Sequence, residues 1–228
     1  MDFFGLMRLT LLDYPGHVAC TFFTGGCNFR CPFCHNTPIV MRDESGKISE
    51  REALEFLIKR KGVLDAVCIS GGEPLLSDGL ISFMGKVKSL GYLVKLDTNG
   101  SFPKRLEMVI KSGFCDYVAM DIKNSLEEYS KTAGIEVDTS DIKKSIDIIR
   151  NSGIEHEFRT TVVKKLHSVD GMESLAQLIE NEEKYFIQSY RENENVLVKG
   201  LSAFSGDELQ ELLKAARKYV PKAELRGV

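Results

Sequence analysis

Cys27-Asn28-Phe29-Arg30-Cys31-Pro32-Phe33-Cys34 sets three cysteines at a C-x3-C-x2-C spacing, with an aromatic residue immediately before the last. Thiolates are soft ligands that suit iron–sulfur clusters and zinc. Closely spaced cysteines on one loop can converge on a small inorganic core. Electron-transfer clusters usually take four cysteines. A group of three leaves one metal position without a protein ligand, and an open position lets a metal bind a reactant, as in catalytic zinc sites. Two plainer readings compete: a zinc ion completed by a fourth ligand such as His35, or three unrelated thiols. Zinc sites favour paired C-x2-C units, and there is no second pair. Cys20, Cys68 and Cys115 stand alone and read as small buried hydrophobes.

The residues around this loop decide the fold. His17-Val18-Ala19-Cys20-Thr21-Phe22-Phe23 is apolar, β-branched and aromatic, which reads as a buried strand, and Gly25-Gly26 separates it from the cysteines. Residues 1–16 read as an extended lead-in that closes on the Tyr14-Pro15-Gly16 turn. Residues 37–48 read as loop. Residues 49–61 read as a helix, because Ser49 and Glu52 make a capping box and Gly62 stops it. The pattern then repeats, with strands expected at 65–70, 92–97, 116–121, 155–163 and 184–188. Helices are expected at 77–90, 103–112, 125–132, 138–152, 170–181 and 205–219.

Six strands alternating with helices argue for a parallel sheet with helical crossovers. An open doubly wound sheet and a barrel-like array both fit. A complete eight-unit barrel takes about 250 residues, and only six units are read here. No low-complexity tract or long linker divides the chain, so residues 1–228 are expected to form one α/β domain with its cysteine loop at 24–36.

The chemically distinctive residues fall at the C-terminal ends of the expected strands. The cysteine loop follows the first, Gly71-Gly72-Glu73-Pro74 the second, Asp97-Thr98-Asn99-Gly100 the third, and Asp121-Ile122-Lys123 the fourth. In parallel β/α folds those ends share the face where ligands bind. Each stretch also has a plain reading. The two glycines permit a tight turn as well as close backbone approach to a ligand. The Asp97 stretch fits an Asx-type turn. Arg159, inside the fifth strand, needs a partner that is either an ion pair or a ligand. Gln188 closes the sixth strand, where a surface glutamine is equally natural. His17, His156 and His167 carry no motif, and His167 is expected in a solvated loop.

The cysteine spacing, with Phe33 in the aromatic slot, resembles that of radical S-adenosylmethionine (SAM) enzymes. Asp13-Tyr14-Pro15-Gly16 together with the stretch from Gly26 to Asn36 resembles the glycyl-radical-enzyme activases, in particular the short activating proteins of anaerobic ribonucleotide reductase. The resemblance runs from about Gly5 to the C-terminus. It implies a partial (β/α)6 TIM-like barrel open on one side, and a [4Fe–4S] cluster on Cys27, Cys31 and Cys34 whose fourth iron binds SAM. One electron would then yield methionine and a 5′-deoxyadenosyl radical that takes hydrogen from a glycine of a partner enzyme. The resemblance places the methionine amino group at Gly71, Gly72 and Glu73, and its carboxylate near Asp97 and Thr98, with Asn99 of the same stretch also in the SAM site. Asp121 joins Asp97 and Thr98 as the candidate holder of a monovalent cation, which takes hard oxygen ligands and would offset the repulsion between these carboxylates and the SAM carboxylate. Lys123 and Arg159 are expected to meet ligand directly, with Phe33, Cys34, His35 and Gln188 also contributing to the SAM pocket. No side chain is assigned acid or base work.

Residues 37–48 contain no cysteine, so the resemblance is to single-cluster activases, reduced by flavodoxin or ferredoxin. A radical SAM enzyme acting on a peptide or small metabolite is the alternative within the family; a non-catalytic iron–sulfur or zinc protein is the alternative outside it. The near balance of 30 basic and 33 acidic residues offers no basic block for nucleic acid. No apolar run approaches the ~18 residues of a membrane span, and residues 1–4 lack a signal-peptide pattern. An anaerobic, reducing cytoplasm is the expected setting.

Overall fold

A computed structural model describes residues 1–227. The lead-in forms a full strand, β1 (Asp2–Thr10), which runs antiparallel to β2 (Ala19–Thr24), the strand expected ahead of the cysteines. From β2 onward the chain alternates as the sequence implies. β4 (Ala66–Gly71), β5 (Leu93–Thr98), β6 (Tyr117–Asp121), β7 (Glu155–Val162) and β8 (Tyr185–Ser189) follow in parallel, each beside its predecessor. Their near-continuous apolar runs suit strands covered on both faces. The crossovers carry α2 (Glu50–Lys59), α3 (Leu80–Ser89), α4 (Pro103–Lys111), α5 (Tyr129–Ala133) with α6 (Thr139–Arg150), α7 (Val169–Leu178) and, after β8, α8 (Gly206–Ala216). The Ser49–Glu52 capping box forms as read.

Three elements lie outside the sequence expectation. The 37–48 segment holds a one-turn helix, α1 (Thr37–Val40), and β3 (Ile48–Ser49), which pairs with β1. β9 (Glu224–Arg226) adds a last parallel strand to β8. All are too short to carry a periodic pattern, so tertiary pairing, not local sequence, creates them. Among the described residues the sheet order is β3-β1-β2-β4-β5-β6-β7-β8-β9, with β3 and β9 at its two unjoined edges. The barrel is therefore partial and open. The hydrophobic core runs through the whole array, from Phe3 on β1 to Ala223 before β9.

His167 is a correction. It is buried, not solvated. Its Nδ1 accepts from the Val163 backbone N–H at 3.0 Å, and its Nε2 donates to the Lys123 carbonyl at 2.8 Å. Burial pushes its pKa down, which keeps the ring neutral and able to do both. A lone histidine after two lysines looks solvated in sequence because the carbonyl it serves lies on another β/α unit.

Candidate functional site

Parallel register brings the distinctive strand ends to one face. Thr24 of β2 lies beside Gly71 of β4, Asp97 of β5 beside Ala119 of β6, Asp121 beside Arg159, and Thr161 beside Gln188. They open onto a cavity of about 290 Å³. Cys27, Cys31 and Cys34 line it, with Phe33 and His35 from the same loop. Gly71, Gly72, Asp97, Thr98 and Asn99 line it from β4 and β5, and Asp121, Lys123, Arg159 and Gln188 from β6 to β8.

The cysteine loop is fastened to its neighbours by polar contacts. Glu73 N–H donates to the Gly26 carbonyl at 2.8 Å, and Asn36 Nδ2 donates to the Gly71 carbonyl at 3.3 Å. Gly72 makes this approach possible, because a Cβ there would stand 1.9 Å from the Gly26 carbonyl oxygen. Asn99 Nδ2 donates to Asn28 Oδ1 at 3.0 Å and lies 3.9 Å from Cys27 Sγ.

Glu73 sits behind the cavity wall. It is fully buried and accepts from Thr98 Oγ1 at 2.8 Å, from Asn99 N–H at 2.7 Å and from Leu75 N–H at 3.1 Å. Its carboxylate thus locks the turn after β4 to the turn after β5. Burial pushes its pKa up to about 7, against hydrogen bonds that favour the anion. A group bound more tightly to its proton in the folded state stabilises the fold as pH falls toward its ordinary value. A protonated carboxyl oxygen still keeps a lone pair for Asn99 N–H. An amide nitrogen does not, so Glu73→Gln sets donor against donor. That substitution is expected to cost about 2 kcal/mol and lower Tm by roughly 4–8 °C. An unchanged melting curve would remove this role.

Next to this turn lies a buried ionic network. Lys95 Nζ pairs with Asp97 Oδ1 at 2.6 Å, and Lys123 Nζ with Asp121 Oδ2 at 3.0 Å. Arg159 joins the two, with Nε 2.9 Å from Asp121 Oδ1 and Nη2 3.5 Å from Asp97 Oδ2. Behind it Glu157 lies 3.9 Å from Arg159 Nη1 and takes both arms of Arg226, at 2.9 and 3.0 Å. Burial raises the pKa of Asp97 and of Asp121, but the neighbouring cations outweigh it and hold both below the usual carboxylate range. Lys95, Lys123 and Arg159 therefore meet the electrostatic need from which a monovalent cation was expected. Thr98 Oγ1, the third expected cation ligand, is engaged by Glu73 and by Gly100 N–H. Lys95 and Arg226 were missed in the sequence. One is a lone charge inside an apolar strand, and the other lies near the C-terminus.

The three loop cysteines are free thiols. Burial pushes Cys27 up to about 11 and raises Cys31 as well, so a metal must displace their protons on binding. Among the described residues no three His, Cys, Asp or Glu side chains gather tightly enough for a single ion. The zinc alternative with His35 lacks that convergence. In a polynuclear core each thiolate takes a different metal atom, so the sulfurs need not meet at a point. A second observation fits a bound group here. The buried side-chain polar atoms without a partner, among the described residues, are His35 Nε2, Tyr129 Oη and Tyr190 Oη. All border the cysteine loop: His35 follows Cys34, Tyr190 packs on His35 with ring centroids 5.7 Å apart, and Tyr129 meets Phe29 edge-on at 6.4 Å. Buried polar groups are normally satisfied, so this cluster of exceptions marks where polar partners belong.

Comparison with known proteins gives a consistent picture. The family model described as the Radical SAM superfamily matches residues 21–179. A putative glycyl-radical enzyme activating enzyme of Methanocaldococcus jannaschii is 33% identical over 98% of this chain and 95% of its own length. The pyruvate formate-lyase-activating enzyme of Clostridium pasteurianum is 31% identical over 75% of this chain and 73% of its own. In structure, a radical SAM methyltransferase from Sphaerobacter thermophilus superposes with a TM-score of 0.76 at 13% identity, over 96% of this chain and 68% of that one.

Proposed function

The chain belongs to the radical SAM superfamily, among its glycyl-radical-enzyme activating enzymes, and on that premise we propose that Cys27, Cys31 and Cys34 hold a [4Fe–4S] cluster that leaves one iron open to SAM. When bound, the cluster supplies the electron that splits a sulfur–carbon bond of SAM and releases a 5′-deoxyadenosyl radical. The chain's own residues bind, orient and keep water out. Gly71 and Gly72 present backbone to the methionine amino group, in a turn braced by Glu73 and Asn99. Lys123 and Arg159 offer charge-assisted hydrogen bonds to the carboxylate, while Asp97 and Asp121 hold those cations in place and Thr98 joins Glu73 in bracing the turn. Phe33, His35 and Gln188 surround the adenosine. Residues 1–228 work as one domain.

The proposed hydrogen donor is a backbone glycine on a loop of a partner glycyl-radical enzyme, with anaerobic ribonucleotide reductase as the candidate. Exposed Met41 and Leu197 line the cavity and suit an apolar polypeptide loop at its mouth. Flavodoxin or ferredoxin supplies the electron, in an anaerobic cytoplasm.

One observation carries this reading: three free cysteines open onto the same cavity as the polar ends of β4 to β8. Its test is anaerobic reconstitution with iron and sulfide, then SAM and dithionite, with 5′-deoxyadenosine quantified. Release that depends on both cluster and reductant is expected. Its absence from protein of confirmed iron and sulfide content would return the cluster to electron transfer. Adding a purified glycyl-radical enzyme is then expected to give a protein glycine radical by electron paramagnetic resonance. Cleavage of SAM without that radical would move the substrate to a peptide or small metabolite.

A further inference from the structure

We propose that Arg226, on β9, is a positioning residue for SAM: by taking both oxygens of Glu157 it leaves the Nη1 arm of Arg159 available to the ligand carboxylate. This rests on the reading of Arg159 given above, but concerns a residue that does not line the cavity.

Register sets Arg226 beside Gln188 of β8. Phe186 stands two residues earlier on β8 and shares that face. The Arg226 guanidinium lies over the Phe186 ring, 3.4 Å from its centroid, an attractive arrangement that also fixes where the arm can point. From there it reaches Glu157 of β7. Nη1 donates to Oε1 at 2.9 Å and Nη2 to Oε2 at 3.0 Å, a bidentate pair. The Tyr117 hydroxyl donates to Oε2 at 3.1 Å. Glu157 is only 1% exposed, and a carboxylate so deeply buried must be paired.

Glu157 and Arg159 lie two apart on β7 and so face the same side of the strand. Arg159 directs Nε to Asp121 at 2.9 Å and Nη2 toward Asp97 at 3.5 Å. Its Nη1 lies 3.9 Å from Glu157 Oε1, beyond hydrogen-bond distance. That arm can therefore serve a ligand in the cavity, which Arg159 lines. The oxygen it faces is the same Oε1 that Arg226 holds. Without Arg226, Glu157 would be a buried anion left with a tyrosine hydroxyl and a cation close by. Attraction between buried charges is strong, and a shift of about 1 Å would close the gap to hydrogen-bond distance. Arg159 would then turn toward Glu157 and away from the ligand.

The test measures SAM binding by equilibrium dialysis to reconstituted protein whose cluster is kept oxidised, so that no cleavage intervenes. Arg226→Met is expected to bind SAM about tenfold more weakly, the loss of roughly one charge-assisted hydrogen bond. Glu157→Gln removes the anion that would draw Arg159 aside. Arg226→Met combined with Glu157→Gln is therefore expected to return to within about twofold of wild type. A residue that merely supports the fold would leave the combined variant no better than Arg226→Met alone. That outcome, or wild-type affinity in Arg226→Met, would overturn the proposal. Melting of the metal-free proteins is the second measurement. Arg226→Met is expected to melt lower and Glu157→Gln to recover much of the loss; a deficit that Glu157→Gln does not reduce would equally overturn it. Should Arg226→Met fail to fold, Arg226→Lys carries the comparison. Lysine keeps a cation on Glu157 but lacks the fork that meets both oxygens, so a smaller loss of affinity is expected, again reversed by Glu157→Gln. Wild-type affinity there, or a loss that is not reversed, would sink the idea. Wild-type protein that assembles its cluster yet binds no SAM would fail the functional reading instead, and the two failures are told apart.

Discussion

Cys31→Ala protein, reconstituted beside wild type, is expected to fold normally, lose its cluster and release no detectable 5′-deoxyadenosine. The thiol is largely buried, and the loop that carries it is fixed by contacts that do not involve sulfur. Cys34 N–H donates to the Cys31 carbonyl at 3.0 Å, and Arg30 N–H to the Ala133 carbonyl at 2.8 Å. Removing one sulfur from such a site costs at most about 1–2 kcal/mol of packing, which leaves the fold intact by circular dichroism. The chemical loss is much larger. Three thiolates are the whole protein ligand set proposed, and two cannot hold the core in place against solvent. Cys20→Ala is the matched control. Cys20 is also buried and free, but it lies on β2 and does not line the cavity. It is expected to keep iron, sulfide and SAM cleavage. Full iron content in Cys31→Ala, or equal loss in both variants, would sink the ligand assignment.

The sequence exposes those cysteines because their chemistry lies in spacing, which survives without coordinates. The same holds for the strand ends. Gly71, Asp97, Asp121 and Gln188 stand at the close of apolar runs, and parallel register then delivers them to one face whatever the details of packing. What was hidden depends on partners far along the chain. Glu73 reads as a ligand contact within a GGE stretch, yet its carboxylate faces the backbone of Asn99, 26 residues on. Lys95 looks misplaced inside β5 until Asp97, two residues on and on the same side of the strand, is seen to hold it. Arg226 lies on a three-residue strand that exists only because β8 offers an edge.

Arg159 is where the sequence left two readings open: the structure shows the ion pairs, and the ligand contact is part of the proposal. Arg159→Met is expected to destabilise the protein by about 3–5 kcal/mol, a fall of roughly 10 °C in Tm, and to weaken SAM binding. The guanidinium is the group shared by Asp121, Asp97 and Glu157, and methionine fills its volume without its charge. Lys95, Lys123 and Arg226 remain, one to each carboxylate, so the network loses its link and not every pair. The pH dependence identifies the cause. Asp97 and Asp121 have folded pKa values depressed below 3.8. Their contribution is therefore present above that value and lost as pH falls through the folded values. In the variant both carboxyls take protons more readily, so its deficit against wild type is largest near neutral pH and shrinks on acidification. Arg159→Lys supplies charge without the planar fork, and can meet one carboxylate but not both. A deficit that stays constant from neutral to acid pH would assign the loss to packing and detach Arg159 from the aspartates. A variant that melts like wild type yet fails to bind SAM would make the arginine a ligand contact alone.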